Sequence, residues 1–278
     1  GSVAGIISLC LPLALFPEKG GVILGRAFDF LTQQFGVFYV AGASLTFAFL
    51  LYLAFSRHGD IRLGNSEPEF STLSWAAMLF CGGIGTSVLY WGVVEWAYYF
   101  QAPPYGVSPQ TPEAMLWSVS YPIFHWGLMG WSLYVLPGVA IAYSYYVRGA
   151  KSLRLSDACE PVIGRHARGA LGRAIDLLFV VGLVGACSIG IGLAVPLIGA
   201  CVAHLLGVDR ASLGFTLDVV VIVVVTCIFA GSVWMGLEKG IKRLSDLNVL
   251  LAMLLLALIL IAGPTLFIVE LGFESVGH

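Results

Sequence analysis

Long apolar stretches separated by short polar ones set the pattern of this chain, and their length decides what they are. A helix that crosses a bilayer needs about 20 predominantly apolar residues. Seven stretches reach or approach that length, at about 3–17, 35–55, 75–100, 118–147, 174–206, 213–234 and 247–270. The first begins abruptly inside an apolar run and lacks a basic leader. It reads as a clipped transmembrane helix rather than a signal peptide. The fourth is interrupted by Gly127, Gly130 and Pro137, and the fifth by Gly190, Gly192 and Pro196. Such interruptions predict tilted or kinked helices whose freed backbone groups face neighbouring protein or a cavity. No short-period repeat or low-complexity segment appears.

Composition sharpens the class. Hydrophobic residues make up 59% of the chain and charged residues 11%, and the mean hydropathy is +0.92. Soluble domains are about 25% charged, more than twice this value, so the chain is all-α and polytopic in a membrane. A net charge of −2 points to no nucleic acid partner. The six cysteines sit mostly in apolar runs with no CxxC pair, and they read as small buried residues rather than disulfides or metal ligands. No cofactor motif, GxSxG, HExxH or phosphate loop is present, so enzyme chemistry has nothing to stand on.

Lys and Arg orient the bundle, because cytoplasmic loops carry the excess. With the N-terminus in the cytoplasm, eleven of the fourteen basic residues lie on the inner side: Arg57, Arg62, Arg148, Lys151, Arg154, Arg165, Arg168, Arg173, Lys239, Lys242 and Arg243. Only Lys19, Arg26 and Arg210 fall opposite. The basic stretch 148–172 reads as a solvated loop that fixes topology, with lipid-headgroup contact as the lesser reading.

Two spans carry candidate chemistry. The third contains "MLFCGGIGTSVLYWGVVEWAYYF", with Gly82, Gly83 and Gly85 inside the apolar run. Each costs a helix about 1 kcal/mol relative to alanine. They serve either tight helix packing or an unwound segment whose carbonyls face a substrate or ion, and spacing alone leaves both open. The fourth contains "SYPIFHWGLMGWSLYVLPG". On a continuous helix at about 100° per residue, Trp126, Tyr134 and Trp131 share an arc of about 140°. Aromatic faces around one cavity suit a quaternary ammonium, each worth about 0.5–2 kcal/mol; core packing is the competing reading. Trp117 is assigned to the membrane interface. Ionisable residues in spans include Glu95, His125, His204 and Asp176, each either functional or hydrogen-bonded within the bundle.

The stretch "LGNSEPEFSTLSWAAMLFCGGIGTSVLYWGVVEW", then "FHWGLMGW" followed by Tyr134, then "LEKGIKRLSDLN" resemble the betaine/choline/carnitine transporter family. The resemblance runs from about residue 60 to the end. It implies a LeuT-like fold of twelve helices whose last ten form two inverted five-helix repeats. Residues 1–74 are then two peripheral helices with a cytoplasmic linker. Residues 75–278 are the first repeat, and the second, with its tryptophan-rich eighth helix, is absent from this chain. The resemblance implies a multi-pass carrier in the cell (inner) membrane, homotrimeric, for a trimethylammonium compound such as carnitine, γ-butyrobetaine, glycine betaine or choline. It implies an aromatic box to which Trp126, Trp131 and Tyr134 contribute, Tyr98 at a tyrosine used by carnitine exchangers, and Gly82, Gly83 and Gly85 as the unwound stretch.

Sodium coupling divides the family. "EWAYYFQAPPYG" is similar to the exchangers, whereas "GGIG" is similar to the sodium-coupled carriers. The threonines that coupled relatives use fall near Leu183 and Cys187, which offer no suitable oxygen; a one-residue slip brings in Ser188. Lys242 stands where exchangers carry an arginine. The expectation is alternating-access exchange without sodium. A sodium-coupled symporter and a non-transporting sensor are the alternatives.

Overall fold

The computed structural model describes residues 2–278, without the side chains at positions 2–4, 6, 9, 84 and 86. The described residues form ten α-helices and no strand: α1 (Ser2–Leu15), α2 (Pro17–Phe55), α3 (Thr72–Gln101), α4 (Pro112–Trp126), α5 (Leu128–Ala142), α6 (Leu155–Ile163), α7 (Ala170–Leu206), α8 (Arg210–Trp234), α9 (Lys242–Ala262) and α10 (Thr265–Gly277). Five segments are long and apolar enough to cross a membrane, and a sixth is α3 counted as one bent span. At most 17% of any of the five apolar windows is buried within the chain. That apolar surface needs lipid or further protein against it, as expected of helices whose solvent is the bilayer.

Boundaries depart from expectation in two places, the start of α2 and the end of α9. The polar stretch expected between the first two spans is helical, because Pro17 starts α2 and Glu18 sits favourably in its first turn. Helix α1, at 14 residues, falls short of the span length. The expected span at 247–270 ends at Ala262, where Gly263 and Pro264 interrupt it, and α10 is a separate helix. The fourth stretch is two helices that meet at Gly127, one of the positions where an interruption is expected.

The chain forms two compact units. The first comprises residues 1–66 and 124–185. In it α2 packs along α5, and the buried Ser132 hydroxyl donates to Met129 O at 2.6 Å and approaches Ala43 O at 3.5 Å. The short helix α6 is tied to α7 by Asp176, which accepts from the Ser156 N–H at 3.0 Å and the Ser156 hydroxyl at 2.8 Å. A carboxylate there satisfies an otherwise orphaned amide of the helix's first turn. Of the two readings open for Asp176, the structural one describes these contacts.

The second unit comprises residues 67–123 and 186–278. In it α3 packs on α9 through a polar tie: Asp246 accepts from the Ser74 hydroxyl at 3.1 Å and from Lys242 Nζ at 3.0 Å. Two turns further along α3, the Cys81 thiol donates to Ser245 O at 3.8 Å. Helix α8 breaks at Gly214 (φ 51°, ψ −153°), which lets Arg210 reach Asp218 at 2.5 Å. Eight residues apart on a straight helix, the two would be about 12 Å apart along the axis.

Candidate functional site

The predicted aromatic residues fall on three helices. Trp131 and Tyr134 lie on α5 with ring centroids 6.0 Å apart and planes tilted by 47°. Trp126 ends the preceding helix, its ring 5.6 Å from that of His125. Between them Gly127 leaves the helical region (φ −79°, ψ −145°), so Trp126 does not share the continuous arc expected from helical spacing. The reason is backbone chemistry, since Gly127 carries no Cβ to hold the helix and Gly130 admits a close approach. A Cβ at Gly130 would stand 2.2 Å from the His125 carbonyl oxygen. These three aromatic residues belong to the first unit.

Tyr98 and the glycine stretch belong to the second. The Tyr98 ring lies 6.0 Å from that of Trp91. Gly82, Gly83 and Gly85 fall at a bend: Thr72–Gly83 and Ser87–Gln101 are inclined by 64°. A Cβ at Gly82 or Gly85 would meet nothing within 4 Å among the described residues. Both positions lie at the bend, and no described residue packs against either. Tyr98 and Tyr134 are 59% and 54% exposed, so the described residues leave half of each ring available to a ligand or to further protein.

Trp117, assigned to the membrane interface, packs edge-on against His278 at 4.4 Å and tilted against Tyr105 at 5.0 Å. With Tyr121, which lies 5.0 Å from Tyr99, these rings form a second aromatic cluster that spacing did not reveal. Two charged groups were also missed. Asp246 shares the "KRLSD" turn with Lys242, and the i,i+4 spacing was the available signal. Asp218 had no such signal, because its partner Arg210 reaches it only through the Gly214 break. Lys242, expected to stand at the exchangers' arginine position, has its charge matched by Asp246 at 3.0 Å. Leu183 and Cys187 are exposed apolar and thiol side chains on α7.

The comparisons with known proteins agree on one family. The family described as "BCCT, betaine/carnitine/choline family transporter" matches residues 1–278. The chain is 36% identical over 265 residues to a carnitine transporter of Acinetobacter baumannii, covering 95% of this chain and 48% of that protein. It is 38% identical over 252 residues to the glycine betaine transporter OpuD of Bacillus subtilis, covering 90% and 48%. It is 34% identical over 277 residues to the high-affinity choline transport protein of Escherichia coli, covering 99% and 40%. The chain thus spans about half the length of the curated relatives it matches. With apolar helices of spanning length and a family match along its whole extent, this multi-pass membrane chain belongs to the betaine/carnitine/choline transporter family.

Proposed function

We propose that these helices are part of a carrier that moves a small trimethylammonium compound across the membrane by alternating access, as an exchanger. The observation that carries the reading is family membership, with relatives named for carnitine, glycine betaine and choline. The tilted Trp131–Tyr134 pair on α5 supports it, because two adjacent π faces suit a quaternary ammonium. The 64° bend at Gly82–Gly85 supports a role for α3 as a discontinuous helix beside the substrate. In this reading Trp126, Trp131, Tyr134 and Tyr98 provide aromatic faces, and Gly82, Gly83 and Gly85 provide backbone. Residues 1–74 are peripheral helices and linker, residues 75–278 are the first inverted repeat, and the carrier is a homotrimer with its N-terminus in the cytoplasm. The inward placement of eleven of fourteen basic residues supports that orientation.

Exchange without sodium is supported by Leu183 and Cys187, which supply no oxygen to a hard cation. The test is uptake of labelled carnitine, γ-butyrobetaine, glycine betaine and choline by the full-length protein in proteoliposomes preloaded with the same compound. Uptake should be equal with sodium or potassium outside. Collapse of uptake without sodium overturns the exchange reading and leaves transport standing, whereas no uptake of any of the four overturns transport itself.

A further inference from the structure

A cavity of 680 Å³ lies between α2 and α5, wholly within the first unit. Its walls are apolar side chains such as Phe47, Leu50, Leu53, Val135 and Val139, with Trp131 also contributing. The two helices run the same way past it. Ala43 meets Ser132, a lining residue near one end, and beyond the other end Gly64 lies against Tyr146, with 3.7 Å from a Cβ at Gly64 to the Tyr146 ring. Along α5 the lining runs from Leu128 to Tyr143, about 22 Å at helical rise. One leaflet's share of the hydrocarbon core is about 15 Å, so the groove has the depth of a lipid chain.

The far end is basic. His58, Gly59, Ile61 and Leu63 line it together with Tyr143, and Arg57 and Arg62 flank those residues in the chain. Arg148 caps the turn that follows, its amide donating to Tyr143 O at 3.2 Å. Arg57, Arg62 and Arg148 are exposed, and among the described residues none of them has an acidic partner. Asp60, also exposed, is the opposing charge among residues 57–63, and Glu67 and Glu69 follow further along the same loop. An apolar trough of leaflet depth that ends in unpaired guanidiniums is complementary to a molecule with a long hydrocarbon tail and an anionic head.

We propose that this groove binds an anionic phospholipid, with one acyl chain along α2 and α5 and the phosphate among Arg57, His58, Arg62 and Arg148. The site does not depend on the transport reading. Because Trp131 lines the groove from the α5 side, a bound chain would also hold that ring in place.

The test uses the full-length protein in its own membranes, with Val139 replaced by photoreactive benzoylphenylalanine. Irradiation should give an adduct whose mass is that of an anionic phospholipid. Crosslinking to a second copy, to a later segment of the same chain, or to nothing overturns the proposal. The purified protein is then mixed with phosphatidylglycerol or phosphatidylcholine and examined by native mass spectrometry. Phosphatidylglycerol should be retained preferentially, and each of Arg57→Gln, Arg62→Gln and Arg148→Gln should lower its retention about fivefold. Val135→Trp, which fills the groove and leaves the arginines, should also lower it, while Lys19→Gln should not. Equal retention of the two lipids, or retention unchanged by the arginine and tryptophan variants, overturns the proposal.

Discussion

Glycines interrupt both the third and the fourth spans, yet they do opposite things there. At Gly130 the chain folds so tightly that an added methyl would collide with the His125 carbonyl oxygen. At Gly82 and Gly85 no described residue would come within 4 Å of an added methyl, and the helix turns by 64° with no described neighbour to force it. The crowded site is a break locked by contact. The open one is a bend that the local sequence permits, with its first arm held from outside by the Ser74–Asp246 hydrogen bond. A locked break suits a fixed platform, and a permitted bend suits an element that changes angle. Function assigned to either glycine group must respect that difference.

The largest effect should come from Gly130→Ala. The clash is with backbone, which cannot rotate away, so the full-length protein in detergent should lose about 1–3 kcal/mol or more of stability and melt at a lower temperature. An unchanged melting curve would mean that the α4–α5 break is not locked. Next comes Trp131→Ala, which removes one face of the aromatic pair on the platform. Binding of a trimethylammonium ligand, read by calorimetry, should weaken by about 0.5–2 kcal/mol. Trp131→Phe should retain part of the loss, since it exchanges one π face for a weaker one. Equal binding by all three proteins returns Trp131 to packing. The smallest effect on stability should come from Gly82→Ala. With open space around the new methyl and a better helix former in place, the melting temperature should hold or rise, by up to about 1 kcal/mol in stability. Transport, measured in the same preparation, should fall if the bend must change. A stability loss at Gly82 as large as that at Gly130 would erase the contrast.

How far the sequence carries the fold depends on the kind of interaction involved. Span positions were legible because hydrocarbon tolerates only uninterrupted apolar length. Gly263 and Pro264 carried a stop signal, but the apolar residues after them masked it, so α9 and α10 read as one. The start of α2 was hidden because polar residues on a helix outside the apolar core leave no hydropathy signal; only Pro17 followed by Glu18 marks it. Around the site, the residue types were legible and their grouping was not. Trp131 and Tyr134 are three residues apart on one helix, and local periodicity brings them together. Trp126 lies on the other side of a backbone break, and helical periodicity cannot say which of Gly127 and Gly130 leaves the helix. The Arg210–Asp218 pair lies further out of reach, because a single positive φ at Gly214 determines it.

Helix α2 is 39 residues long, about 58 Å at helical rise, and a hydrocarbon core of about 30 Å cannot hold it. Lying wholly inside would demand a tilt of about 60°, beyond the 0–40° that membrane helices adopt. The charges show which part leaves. Glu18, Lys19, Arg26 and Asp29 all fall in the first third, and from Phe30 to Phe55 no charged residue occurs. Those last 26 residues measure about 39 Å and fit the core at a tilt of about 40°. The first third therefore stands clear of the hydrocarbon as a rigid continuation of a membrane helix. Such an extension is a lever, since any change in bilayer thickness that alters the tilt of the buried part swings its outer end through a proportionate arc.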